Sequence, residues 1–165
     1  MGARTEALAG QFDGKARDAV ATLEKLGDAD WKKVTAAEKW TVGVTAHHLA
    51  GGLEAVAGIV TGIVSGGPSH GDFTRGMLDE MNAQHAKEHA DCTRAETLAL
   101  FQKGAATAFA VVRGLSDDQL AKSGTVFTDA PPMTAEQLIM LGLRGHIDDY
   151  LGSIRKTVGM GHESP

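Results

Sequence analysis

The stretch from Trp40 to Ile63 constrains this chain more than any other. Val42, Thr45, Leu49, Leu53, Val56, Val60 and Ile63 recur at steps of three and four residues, the spacing that lays one apolar stripe along a helix. A stripe that long has to be covered along its whole length, which calls for other helices packed beside it. Trp40-Thr41-Val42-Gly43-Val44-Thr45-Ala46-His47-His48-Leu49-Ala50 opens the helix and sets two imidazoles near its start. His48 falls at the edge of the stripe and is the ring expected to work inside the fold. His47 falls nearly opposite and is expected to face solvent.

Partners for that stripe are spaced along the chain. From Thr5 to about Leu26, the positions Leu8, Phe12, Ala16, Ala19, Leu23 and Leu26 make an amphipathic helix, with Gly27-Asp28-Ala29-Asp30 as its stop. Trp31 to Lys39 reads as a polar connector anchored at either end by a packed tryptophan. The helix from about Thr41 to Val64 ends at Ser65-Gly66-Gly67-Pro68-Ser69-His70-Gly71. Asp72 or Thr74 can cap a third helix whose buried stripe is expected at Met77 or Leu78, Met81, His85, then His89 or Cys92. Thr93-Arg94-Ala95-Glu96 is a capping box that starts a fresh run to Arg113, and Ser116-Asp117-Asp118-Gln119 repeats the signature on a short turn. Ser123 to Pro132 is a long loop, with a short extended piece expected at Thr125-Val126-Phe127 and helix forbidden at Pro131-Pro132. Thr134 caps the last helix, from about Ala135 to Val158, and Gly159 to Pro165 reads as a frayed tail. The fold class is therefore all-α, a four-helix up-and-down bundle with a long loop before the last helix, and residues 1–165 are expected to make one domain.

Composition narrows what such a bundle can do. The net charge of -5 is spread along the chain, so no basic tract offers itself to nucleic acid. A single cysteine, Cys92, forbids an internal disulfide and suits a reducing, cytoplasmic setting. It reads as a small buried filler with no activating base beside it. Glu54 and several glycines interrupt the longest apolar run, Leu49 to Val64, so no membrane span is expected, and the N-terminus lacks an export signal. The 21 glycines are expected to allow close helix approach rather than to mark strands.

The chemistry concentrates on histidines. His85 occupies a stripe position, and with His89 it has the i, i+4 spacing that places two imidazoles where one metal ion can reach both. Asn82 shares that face. On the last helix, His146 and Tyr150 stand one turn apart beside Ile139, Leu143, Ile147 and Ile154, so both should face the interior. If the second and third helices run antiparallel about the turn at residues 65–71, His48 and His89 lie at similar height, with His85 one turn away. Asp149 lies beside the inward face, where it can orient His146 through its second ring nitrogen. Arg144 points outward.

Trp40-Thr41-Val42 leading into Ala46-His47-His48-Leu49-Ala50, the segment at Leu115-Ser116-Asp117, and His146 followed by Gly152-Ser153-Ile154 together resemble the DinB-like superfamily. That superfamily includes the mycothiol-dependent maleylpyruvate isomerase N-terminal domains and the bacillithiol transferases. The resemblance implies a four-helix bundle holding zinc or nickel through one histidine of the second helix and a pair four residues apart on the last. His48 matches the first ligand and His146 one member of the pair. The sequence departs from the pattern at the partner, which is Tyr150 or Gly142 depending on register, so either a third ligand comes from elsewhere, with His85 or His89 the best candidates by height in the bundle, or the site no longer binds metal. The metal set carried forward is His48, His146 and His85.

Two function classes follow. In the first, the protein is a metal-dependent enzyme acting on a small electrophile by transfer or isomerisation with a low-molecular-weight thiol such as mycothiol or bacillithiol. Tyr150 is then its catalytic acid, and Asn82, His89 and Asp149 line the substrate. In the second, the same histidines line a metal-free pocket for a small molecule. A bland third class makes the histidines structural and places function on the surface. No nucleic acid or membrane partner is expected, and a homodimer fits the resemblance.

Overall fold

The computed structural model describes residues 2–67 and 73–161. In chain order the elements are α1 (Ala3–Glu24), α2 (Asp28–Trp31), α3 (Val42–Val64), α4 (Arg75–Glu88), α5 (Arg94–Arg113), α6 (Asp117–Leu120), β1 (Ser123–Gly124), β2 (Met133–Thr134), α7 (Ala135–Leu138), a π-helical segment (Ile139–Gly145) and α8 (His146–Val158). Four rods make the bundle: α1, α3, α5, and a last rod built from α7, the π-helical segment and α8.

Local chemistry sets where the rods begin. The Thr41 hydroxyl accepts from the Val44 amide at 3.1 Å, which satisfies one of the free donors at the start of α3. Thr93 with Glu96, Ser116 with Gln119 and Thr134 with Gln137 form reciprocal capping boxes at α5, α6 and α7. Thr74 caps α4, while Asp72, the other cap considered, lies outside the described residues, as do His70 and His162.

Helix α3 is the hub. It packs on α5, on α8 and on the π-helical segment, and Leu49, Ala50, Leu53 and Val60 have no exposed surface. By length and composition this helix is apolar enough to cross a membrane, in contrast with the sequence expectation that rested on Glu54. The same composition is what a bundle's central helix needs to bury a wide face. At the crossing with α5, a Cβ on Gly104 would stand 3.1 Å from the Ala50 carbonyl oxygen and 3.3 Å from the Leu53 Cβ, so glycine sets how closely the two backbones approach.

Three sequence expectations change. Helix α4 is a flanking element with no buried residue; Met77 and Met81 are 45% and 58% exposed, because α5, not α4, supplies the third rod. The extended pair lies at Ser123↔Thr134 and Gly124↔Met133 rather than at residues 125–127, since the segment beyond Pro131-Pro132 supplies the partner. The last rod is not a uniform α-helix: it widens into π geometry over Ile139–Gly145, a local feature frequent at functional sites. Within that rod, Arg155 bonds Asp18 at 2.8 Å and Thr22 at 2.9 Å and ties α8 to α1.

Replacing Gly104 with valine is expected to wedge α3 from α5 and cost about 1–3 kcal/mol, read as a lower midpoint in urea unfolding followed by circular dichroism. An unchanged midpoint would mean that this contact does not set the helix spacing.

Candidate active site

Helix α3 buries one face against the other rods, and the polar rings gather near its N-terminus. His47 and His48, in its second turn, are both half-buried. The π-helical segment ends at His146 and delivers that ring onto α3, where a Cβ on Gly52 would lie 3.5 Å from its Cδ2 and Nε2 atoms. His48 and His146 have ring centroids 5.8 Å apart. Tyr150, one turn along α8, stands 5.0 Å from His48 and 4.8 Å from His146. Trp40 closes one side, edge-on to His48 at 5.3 Å. Behind Tyr150, the Ser153 hydroxyl donates to the Glu38 carboxylate at 2.6 Å.

A second group adjoins the first. His85 of α4 is 5.5 Å from His48, yet its Nε2 lies 2.8 Å from Nδ1 of His47. His89 stacks on His47 at 4.1 Å and sits 4.6 Å from His85. The expectation that His47 faces solvent is therefore corrected: α4 docks outside the bundle, on the flank of α3 that carries His47. No local signal in the sequence gives this direction, because which polar flank of α3 a neighbour covers is settled only when the helices pack.

Burial governs the electrostatics. It is the first cause holding His48 down to about 4, helped by the neighbouring charges of His146 and His85. His85 is likewise held down to about 4 by burial first, then by His47 and His89. Burial also lowers His146 and His47, and raises Tyr150, with Glu38 and Asp149 adding to the rise. At neutral pH these imidazoles are neutral and the phenol keeps its proton.

The remaining candidates are less engaged. Asn82 is half-buried on α4, and no hydrogen bond joins it to the histidines. Asp149 is exposed and acts on His146 through its charge, not through a bond to the ring. Arg144, expected to point outward, is half-buried, with Nε enclosed and without a hydrogen-bond partner among the described residues. Cys92 has its thiol pushed up by burial, which makes it a poor nucleophile, while its carbonyl accepts from Trp31 Nε1 at 2.9 Å.

These positions test the ion that the resemblance implies. His48 and His146 offer two neutral imidazoles. Gly142 offers no donor, and a Cβ there would already lie 2.9 Å from Val56 Cγ1. Tyr150 is held protonated, and the His85 Nε2 is turned to His47. Among the described residues a third donor is thus missing beside the His48–His146 pair, and the expected set His48, His146 and His85 is not assembled. Among the described residues, the trio whose ligand atoms all lie within 4.8 Å of one another is His47, His85 and His89.

The sequence profile of the mycothiol maleylpyruvate isomerase N-terminal domain matches residues 12–144. The chain belongs to this family. The match ends two residues before His146, so it covers the His47-His48 motif and leaves the start of α8 outside. Among solved structures, a mutant of mycothiol-dependent maleylpyruvate isomerase superimposes with a TM-score of 0.73 at 11% identity, covering 91% of this chain and 60% of that one. An uncharacterised protein from Escherichia coli UTI89 superimposes with a TM-score of 0.71 at 14% identity, covering 94% and 92%. The DinB-like bundle is the fold they share. The chain spans 60% of the isomerase's length. No curated protein sequence matches it.

The lowered imidazoles predict how stability depends on pH. Above 6.5 both folded and unfolded chains carry neutral rings. As pH falls from 6.5 towards about 4, the unfolded chain takes up protons that folded His48 and His85 refuse, so stability present above that window is lost through it. The melting temperature of metal-free protein should drop across this range, with a shallower drop in His48→Gln. A flat profile would contradict the burial argument.

Proposed function

We propose that this protein carries out a thiol-dependent isomerisation or transfer on a small electrophile, in the cleft bounded by Trp40, His48, His146 and Tyr150. What carries the reading is the meeting of neutral imidazoles and a protonated phenol on facing helices, His48 and Tyr150 at 5.0 Å and His146 and Tyr150 at 4.8 Å, in a chain of the mycothiol maleylpyruvate isomerase N-terminal family. A low-molecular-weight thiol of the mycothiol or bacillithiol class is the co-reactant, and a conjugated, carbonyl-bearing alkene is the substrate class.

The residues divide the work by protonation state. Neutral His146 accepts the thiol proton, and the charge of Asp149 favours the imidazolium that results. The thiolate then forms a sulfur–carbon bond while the alkene electron pair moves onto the conjugated carbonyl oxygen. Tyr150 donates a hydrogen bond to that oxygen as its charge develops. Rotation about the new single bond, return of the electron pair and cleavage of the sulfur–carbon bond complete an isomerisation, and the thiolate recovers its proton from His146. In a transfer the sulfur–carbon bond is kept and the carbon takes that proton. His48 and Trp40 wall the cleft and exclude water from the charged species. No step is assigned to a metal at the His48–His146 pair, where the described residues supply no third donor.

One observation favours a second reading. With no ligand group at Gly142, the cleft suits a binding module that holds a small molecule without turning it over.

Ultraviolet absorbance of maleylpyruvate or a simpler cis-enone, with and without added thiol, separates the two. The proposal expects thiol-dependent turnover, with kcat reduced about 10²–10⁴-fold in His146→Ala and a clear loss in Tyr150→Phe. Binding without turnover under any thiol, or wild-type rates in His146→Ala, would replace it with the binding-module reading.

A further inference from the structure

We infer that His47, His85 and His89 form a divalent transition-metal site of their own, beside the His48–His146–Tyr150 cleft, and that the ion fastens α4 to the bundle. Three lines of structure meet here.

The first is donor geometry. Each ring offers a nitrogen, and these atoms all lie within 4.8 Å of one another; a tetrahedral ion with metal–nitrogen bonds of about 2.0–2.1 Å draws them to about 3.3 Å apart. His47 Nδ1 and His85 Nε2 are already 2.8 Å apart, and rotation of the His89 ring completes the set. Two helices supply the ligands: His85 and His89 one turn apart near the end of α4, and His47 from α3. Three protein nitrogens leave a fourth position open.

The second is what the rings lack. His85 Nδ1 is enclosed with no hydrogen-bond partner among the described residues. The three rings, with centroids 4.1 to 5.0 Å apart, can each turn one lone-pair nitrogen to a shared point. Three imidazole nitrogens make a ligand field suited to zinc, nickel or copper.

The third is α4 itself. It has no buried side chain, so apolar burial does little to hold it. Its start is held by the Thr128 amide donating to the Phe73 carbonyl at 2.9 Å and by Phe73 stacking on Phe127 at 5.8 Å. Beyond its end, Trp31 holds the Cys92 carbonyl. Between these anchors, the imidazole cluster is its attachment to α3, and an ion there would hold α4 as one wall of the cleft.

The proposal stands apart from the thiol chemistry and is tested by metal uptake alone. Untagged metal-free protein is titrated with zinc chloride by calorimetry and with cobalt(II) by visible absorption. One ion per chain is expected, with affinity weakened by at least about 10–100-fold in His47→Ala and His89→Ala and kept within about threefold in His48→Ala and His146→Ala. Hydrogen exchange on the wild-type protein supplies a reading that needs no variant: zinc should slow exchange over residues 75–89. Absence of uptake, uptake lost in His48→Ala or His146→Ala, or unchanged exchange in α4 with zinc bound would each overturn the site, and none of these results bears on turnover with thiol.

Discussion

The close crossing of α3 and α5 at Gly104 sets the geometry on which everything else rests. With the Ala50 carbonyl and Leu53 against that glycine, α3 sinks far enough into the bundle for Leu49, Leu53 and Val60 to lose all their exposed surface. Each such side chain contributes about 1.5–3 kcal/mol of burial, so the helix has little freedom to rotate. Its orientation in turn decides which of its polar residues reach an edge. The N-terminal flank, with His47 and His48, is that edge.

At this edge the bundle trades packing for chemistry. Imidazoles from α3, α4 and α8 come within 4.1 to 5.8 Å of one another, half-buried and away from full solvation. Desolvation lowers His47, His48, His85 and His146, and repulsion from neighbouring rings adds to it at His47, His48 and His85. Opposite them, the same desolvation acts on the Tyr150 phenol in the other sense and preserves its proton. One low-dielectric edge thus yields lone pairs on one side and a hydrogen-bond donor on the other. The π-helical segment matters here because it sets the rotation of α8: a wider turn before His146 turns that ring and Tyr150 together toward α3.

Two neighbouring groups of rings share this edge and differ in what completes them. His48 and His146 are completed by Tyr150 and Trp40, a phenol and an indole, which suits binding and orienting an organic molecule. His47, His85 and His89 are completed by one another, which suits an ion. His85 touches both, 5.5 Å from His48 and 5.0 Å from His47, so the position of α4 links the two.

Much of the fold was legible in the sequence, because capping and amphipathic spacing are local. Thr41, Thr93 with Glu96, Ser116 with Gln119 and Thr134 with Gln137 act within four residues of themselves, and the stripe of α3 is written in its own spacing. The inward direction of His146 and Tyr150 followed from periodicity, while their meeting with His48 was what the family resemblance implied. The direction of His47, the flanking place of α4, the widened turn before His146 and the pairing of Ser123 with Thr134 were not legible. Each depends on which helix face another element has already covered. Periodicity names the apolar side of a helix but is silent on which polar flank a neighbour will dock against, and that docking, settled only when the rods pack, determines which imidazoles meet.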